Sequence, residues 1–333
     1  MLCTIQCAFG IEYTNQTLYE EGIIEPIESS LWQSPIVVKR KSNGEIRLCV
    51  DLRSLNKVIW VDGHPPPRIN NLISLLHGAT VFSKLDMRSA YHQVVLDASS
   101  RHLTAFVTPD GVFQYCRMSF GLASAAAVFQ RVIEEVLHGL EGISVYQDDV
   151  LVFGESSAEH NNRLRLVLSA MERRGIRLRK DKCVFGVNVV EYLGHLISKD
   201  GIAPRPGLLS AISNVATPND RDKLRAFMGM CEFYSKFVNG FATIAEPLLR
   251  LLKKNTKFVW NEEQERAFNN IKRELGRAPL LSPYVPGTEI TITVDASNVG
   301  VGVVLTQNQR GCEKNDCICI PYPATTGKII FCH

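Results

Sequence analysis

Apolar and polar positions divide the chain into recognisable stretches. From Ser34 to Asp51 two β-rich runs flank Ser42-Asn43-Gly44, which predicts a hairpin with Asn-Gly in its turn. His64 to Arg68, with three consecutive prolines, must be extended or irregular. Ile69 to Gly78 reads as a short helix stopped by the glycine, and Ala79 to Asp86 as a strand that delivers Asp86 to its end. A turn or short helix containing Tyr91 follows.

Val128, Val132, Val136 and Leu140 recur every fourth residue, predicting a helix over 124–140. Leu164, Val167, Leu168 and Met171 mark one face of a second helix, over 158–176, with Gly175 as its stop. After about Ser198 the pattern turns helical. Leu224, Phe227, Met228, Cys231, Tyr234 and Val238 fall at helical spacing, and Asn261 with Gln264 predicts a capping box opening another helix. From Thr288 to Ser297, Ile290, Ile292 and Val294 alternate with threonines. That pattern predicts a half-buried strand carrying Asp295 to its end.

With 333 residues the chain is long enough for about two domains and a sizeable core. A net charge of +3 says little about partners, but 163–182 holds eight Lys or Arg against Glu172 and Asp181. Such a run is either a solvated helix face or a surface that tracks phosphates. Cys49, Cys116, Cys183 and Cys231 lie in apolar contexts and read as small buried hydrophobes. Cys312, Cys317, Cys319 and Cys332 lack the C-x₂-C spacing of a structural zinc site. No apolar run approaches the roughly 18 residues of a membrane span, and the opening residues lack the features of a signal peptide, so an intracellular protein is expected.

The sharpest local signal is Ser144 to Gly154, where Asp148 and Asp149 stand between two apolar runs. A tight hairpin would present both carboxylates at its tip. Two such neighbours ionise together comfortably only beside a cation, and Mg²⁺ suits a pair of carboxylates that leave room for water or phosphate oxygens. With Asp86 as a third acid, two metals about 3.5–4 Å apart could serve phosphoryl transfer. Read alone, an Asp-Asp pair in a turn is more often only a solvated loop.

Taken together, "YQDD" (Tyr146 to Asp149), "FSKLDMRSAYHQV" (Phe82 to Val94), "MSFGLASAAAVFQ" (Met118 to Gln130), Ser34 to Asn56 and "VEYLGHLIS" (Val190 to Ser198) resemble the reverse transcriptase of gypsy-type LTR retrotransposons and retroviruses. Later segments resemble the thumb and the entry to RNase H, so the likeness runs from about Leu18 to Gln309. The resemblance implies an α+β right-hand polymerase of fingers, palm and thumb, followed by a truncated RNase H-like β unit. Residues 1–17 are left undefined, 18–198 become fingers and palm, 199–283 thumb and connection helices, and 284–309 the start of RNase H.

The resemblance also implies roles. Asp86, Asp148 and Asp149 would hold two Mg²⁺, with Mn²⁺ as the alternative ion, and catalyse nucleotide addition. Lys39, Arg40, Arg47, Tyr91, Phe120 and Gln147 would bind the nucleotide. Gly121, Gln130, Leu193 and Gly194 would hold template and primer, and Asp295 would be a remnant of the RNase H site. The implied partners are an RNA template, a DNA primer or RNA–DNA hybrid, and deoxynucleoside triphosphates, with no membrane. Protease and integrase segments are missing from the chain. Ser119 and Ala126 stand where the family has proline, and Ser124 where it has asparagine. The tail 310–333 does not resemble the family, so it is expected to be disordered and RNase H activity to be absent. The alternatives are an inactive retroelement fragment that at most binds nucleic acid, and a Mg²⁺-dependent nuclease.

Overall fold

The computed structural model describes residues 12, 14–40, 46–238, 240–281, 289–296, 300–309, 312–316 and 322–323. Along these the strands are β1 (Ile24–Ile27), β2 (Ile36–Arg40), β3 (Ile46–Val50), β4 (Val81–Asp86), β5 (Phe106–Thr108), β6 (Gly111–Tyr115), β7 (Ile143–Tyr146), β8 (Asp149–Gly154), β9 (Val184–Val187), β10 (Val189–Tyr192), β11 (His195–Ser198), β12 (Gly201–Pro204), β13 (Ile290–Ala296), β14 (Gly300–Gln309), β15 (Cys312–Asp316) and β16 (Tyr322–Pro323). The helices are α1 (Ile69–Ser74), α2 (Ala125–Val136), α3 (Ser157–Arg173), α4 (Pro206–Ser213), α5 (Arg221–Glu232), α6 (Phe241–Leu252) and α7 (Glu262–Gly276).

The chain divides into two compact units. The first takes in 1–68, 83–152 and 161–185. Its centre is the sheet β7-β8-β4-β9. Leu85, Val150 and Val152 from these strands pack with Phe129 and Ile133 of α2 and with Val167 and Met171 of α3. Helix α3 buries Val167 and Met171 of its predicted stripe, whereas α2 buries Ala125, Phe129 and Ile133 and leaves the predicted Val128, Val132 and Val136 only half-buried. A smaller core joins Ile24, Val50, Leu52, Phe106 and Tyr115. The predicted hairpin forms, with Ile36 opposite Val50 and Lys39 opposite Arg47. Its Asn-Gly turn lies outside the described residues.

The second unit takes in 69–82, 153–160 and residues from Gly186 onward. Its core is helical: Leu224, Phe227, Met228 and Cys231 of α5 meet Leu248 and Leu251 of α6 and Phe268, Ile271 and Leu275 of α7. The capping box of α7 is present, with Asn261 accepting from Glu263 N–H and Gln264 reaching back to Asn261 N–H. Because Ile73 of α1 belongs to this core with Ile202 and Ile212, the unit draws on earlier chain than the sequence boundary at 198 implied.

Three readings change. Ile290, Ile292 and Val294 are 40%, 54% and 61% exposed, so β13 is not half-buried among the described residues. No described element covers that face. Strands β15 and β16 pair with β14, placing 312–316 and 322–323 in a sheet where disorder was expected. The open edge of β14 supplies the backbone partners that an isolated tail would lack. The rest of 310–333 lies outside the described residues, as does most of 1–17. Of the four cysteines read as core only Cys231 is buried, while Cys49, Cys116 and Cys183 are half-buried. Among the described residues no helix is long and apolar enough to cross a membrane.

Candidate active site

The strand pattern brings the three aspartates to one end of one sheet. Asp86 closes β4, Asp149 opens β8, and β8 lies beside β4. Tyr146 pairs with Asp149, leaving Gln147-Asp148 as a two-residue turn. Gln147 has φ 52°, and Asp148 is not left-handed. This is the pattern of a tight hairpin turn whose twist matches its strands, at some cost for a residue that is not glycine.

Gln130 of α2 offsets that cost. It is 1% exposed, and its Oε1 accepts from Gln147 N–H at 2.6 Å. Its Nε2 donates to Val145 O at 3.2 Å and to Glu134 Oε1 at 2.7 Å. The sequence reading had placed Gln130 among the template- and primer-binding residues. Here it is buried beneath the turn and holds the backbone of the aspartate hairpin.

Burial of part of the Asp148 carboxyl pushes its pKa above the ordinary carboxylate range, and the negative charges of Asp149 and Asp86 add to the rise. Its own backbone N–H and the charge of Lys84 pull the other way. Asp148 thus feels the charge of both other carboxylates. Lys84, two residues before Asp86 and on the same face of β4, places Nζ 2.9 Å from Asp149 Oδ1. Cys183 also touches this strand end: Asp86 N–H donates to its Sγ at 3.4 Å. Sequence reading missed both Lys84 and Cys183. The i, i+2 spacing from Asp86 was the available signal for Lys84, whereas Cys183 had none.

The donor set suits a hard divalent cation, since three mutually repelling carboxylates supply oxygen ligands and negative charge. The arrangement is not gathered for one, however. Among the described residues no group of three His, Cys, Asp or Glu side chains is placed to hold a metal. Asp149 spends one oxygen on Lys84 instead.

Tyr91 lies on a 3-10 turn (Ala90–Gln93) with its ring centroid 4.9 Å from Phe120 and 5.7 Å from Phe129. Burial raises its phenol pKa, and the charge of Asp148 raises it further, so Tyr91 faces the aspartate turn. Phe120 is 45% exposed beside it. Gly121 has φ 95°, and its carbonyl accepts from Asn56 Nδ2 at 2.8 Å. Ser119 is buried, and its hydroxyl has no partner among the described residues, a cost that a proline there would not carry. The side chains of Lys39, Arg40, Arg47 and Asp295 lie outside the described residues.

In the second unit, Leu193-Gly194 forms the two-residue turn between β10 and β11, with Tyr192 opposite His195. Both turn residues are left-handed, at φ 46° and 79°. Leucine is rarely found there. His195 Nδ1–H donates to Leu193 O at 2.8 Å, and Tyr234 Oη donates to Gly194 O at 2.5 Å. A Cβ on Gly194 would meet the Phe233 ring at 3.0 Å, so glycine is needed for clearance as well as conformation.

Residues 38–197 match the reverse transcriptase (RNA-dependent DNA polymerase) family, and residues 260–320 match the RNase H-like domain found in reverse transcriptase. The chain belongs to the reverse transcriptases of retrotransposon Pol polyproteins. It is 35% identical over 303 residues to the retrovirus-related Pol polyprotein from transposon 412 of Drosophila melanogaster, a match covering 89% of this chain and 24% of that protein. It is 33% identical over 295 residues to the transposon Tf2-3 polyprotein of Schizosaccharomyces pombe, covering 88% of this chain and 22% of that one. The chain thus spans about a quarter of the curated relatives it matches.

The fold matches the foamy viral protease-reverse transcriptase solved in complex with double-stranded DNA, at TM-score 0.86 and 22% identity, over 95% of this chain and 66% of that one. The same viral protein solved with an RNA/DNA hybrid matches at TM-score 0.84, over 96% of this chain and 43% of that one. The right-hand polymerase expectation is met. The RNase H-like match reaches residue 320, past Gln309, where the sequence reading had ended the likeness.

Proposed function

We propose that the chain is an RNA-directed DNA polymerase that extends a DNA primer on an RNA template from deoxynucleoside triphosphates. The observation that carries this reading is the gathering of Asp86, at the end of β4, with Asp148 and Asp149, at the turn into the neighbouring β8, in a chain of this family. Asp86, Asp148 and Asp149 would hold Mg²⁺, or Mn²⁺ in its place. When bound, such ions lower the barrier to phosphoryl transfer by neutralising charge on the attacking and leaving oxygens.

The chain's own residues do the rest by positioning. Gln130 fixes the backbone of the aspartate turn. Tyr91 and Phe120 offer aromatic surface against which a nucleotide's sugar and base would rest. Lys39, Arg40 and Arg47 sit on a hairpin whose guanidinium and ammonium groups suit a triphosphate. The Leu193-Gly194 turn would support the primer. Lys84 keeps Asp149 compensated until a divalent cation takes its place.

Primer extension on an RNA template with Mg²⁺ tests the reading, comparing the chain with Asp149→Asn. Activity in the first and background in the second is expected. Equal background in both, with hybrid binding intact, would favour a fragment that only binds nucleic acid.

A further inference from the structure

The first unit contains a cavity that the three aspartates do not line. Its volume is about 310 Å³, and four arginines border it: Arg88, Arg117, Arg174 and Arg177. They come from three separate stretches of chain: the segment after β4, the segment after β6 and the loop after α3. Glu21 is the one acidic residue in the lining, and it pairs with Arg88 at 2.6 Å. Four guanidiniums against one carboxylate leave three positive charges in excess. Arg174 and Arg177 have no ion-pair partner among the described residues. His92 adds no charge near neutral pH, because burial pushes its pKa below the ordinary value.

Hydrogen bonds hold this arrangement in place before any ligand arrives. Gln93 Nε2 donates to Arg88 O at 2.7 Å and to Arg177 O at 3.0 Å, while its Oε1 accepts from Arg177 N–H at 2.7 Å. Arg88 N–H donates to Arg177 O at 2.9 Å. Two arginine-bearing segments are thus stapled together through one amide. The Arg117 guanidinium approaches the carbonyls of His92 and Gln93 at 3.4 and 3.5 Å. Cations fixed around a concavity repel one another, and that repulsion is released only by an anion. Arginine's forked donors match phosphate oxygens, and fixing them in advance lowers the cost of ordering on binding.

We propose that this cavity is a binding site for a compact polyphosphate, either inorganic pyrophosphate or the phosphate tail of a nucleoside triphosphate. A nucleic-acid strand fits less well. It needs cations in a row along an open surface, whereas these converge on one small volume. The site is independent of the aspartates, so its test does not depend on polymerase activity.

The test is calorimetric titration of the full chain with pyrophosphate, without divalent metal and at fixed ionic strength. Saturable binding is expected. The double variant Arg174→Gln, Arg177→Gln should bind at least about tenfold more weakly, since two charge-assisted contacts are lost. Glu21→Gln should bind more tightly, a change of sign that misfolding would not produce. Asp148→Asn with Asp149→Asn should bind as the parent does. In a parallel titration, a non-hydrolysable nucleoside triphosphate that binds as tightly as pyrophosphate makes the nucleotide tail a source. Pyrophosphate binding alone makes the free anion the source, and either result upholds the site. No saturable binding, unchanged binding in the double arginine variant, or loss in the aspartate variant would overturn it. So would displacement of pyrophosphate by single-stranded RNA at equal phosphate concentration, which would mark a strand-tracking surface.

Discussion

Lys84 Nζ lies 2.9 Å from Asp149 Oδ1, so the aspartate turn of the first unit carries its own counter-ion. Both side chains are partly exposed, at 24% and 31%, which keeps the pair's worth to about 1 kcal/mol or less. Lys84→Met removes a charge that also steadies Asp148. In EDTA the variant should melt a few degrees below the parent, on the scale at which about 1 kcal/mol shifts a domain's midpoint. Added Mg²⁺ should stabilise it more than it stabilises the parent, because Asp149 no longer has to give up a lysine. Thermal melts with and without Mg²⁺ check both signs.

Gln130 supports the aspartate turn from below, through hydrogen bonds to Gln147 and Val145. Gln130→Leu keeps the volume but strands Gln147 N–H and Val145 O in a buried place. We expect primer extension to fall by about 10²-fold through misplacement of Asp148 and Asp149. Far-ultraviolet circular dichroism should stay near the parent's. Gln130→Glu keeps the acceptor for Gln147 and should recover part of the loss in the same assay.

Tyr234 holds the carbonyl of Gly194, and removing its hydroxyl leaves a strained turn with one tether. Tyr234→Phe should cost about 1 kcal/mol of stability, the usual net worth of such a bond. If the turn supports the primer end, the variant's apparent affinity for primer–template should drop while its KM for nucleotide stays put. Steady-state kinetics varying each substrate in turn separates the two.

His195 is 1% exposed, and burial holds its pKa down at about 4. An unfolded histidine titrates near 6.5. The folded chain therefore resists a proton that the unfolded chain accepts, so stability is full above about pH 6.5 and falls as pH drops towards 4. Lys236 nearby adds to the depression. His195→Asn offers an N–H for Leu193 O but no titrating ring, and it should flatten the acid side of a melting-temperature profile between pH 6.5 and 4.

The helices of both units were legible in the pattern of apolar residues, because each buries a stripe whose 3.6-residue period is written locally. The aspartate hairpin was legible for a similar reason: two apolar runs separated by polar residues have few ways to fold. Gln130 shows the limit. Its motif was visible, but only packing reveals that its amide points under the turn and away from solvent. Exposure of Ile292 and Val294 was likewise unreadable, because alternation predicts two faces and not whether anything covers one of them.

By itself, then, the sequence determined where helices and strands lie, which family the chain resembles and that Asp86, Asp148 and Asp149 belong together. Those features depend on local periodicity and on motif order, both of which survive in one dimension. Tertiary structure alone decided that Lys84 compensates Asp149, that Cys183 touches the end of β4, and that arginines from three distant segments face one cavity. Electrostatic energy depends on distance through space, and separation along the chain carries almost no information about that distance.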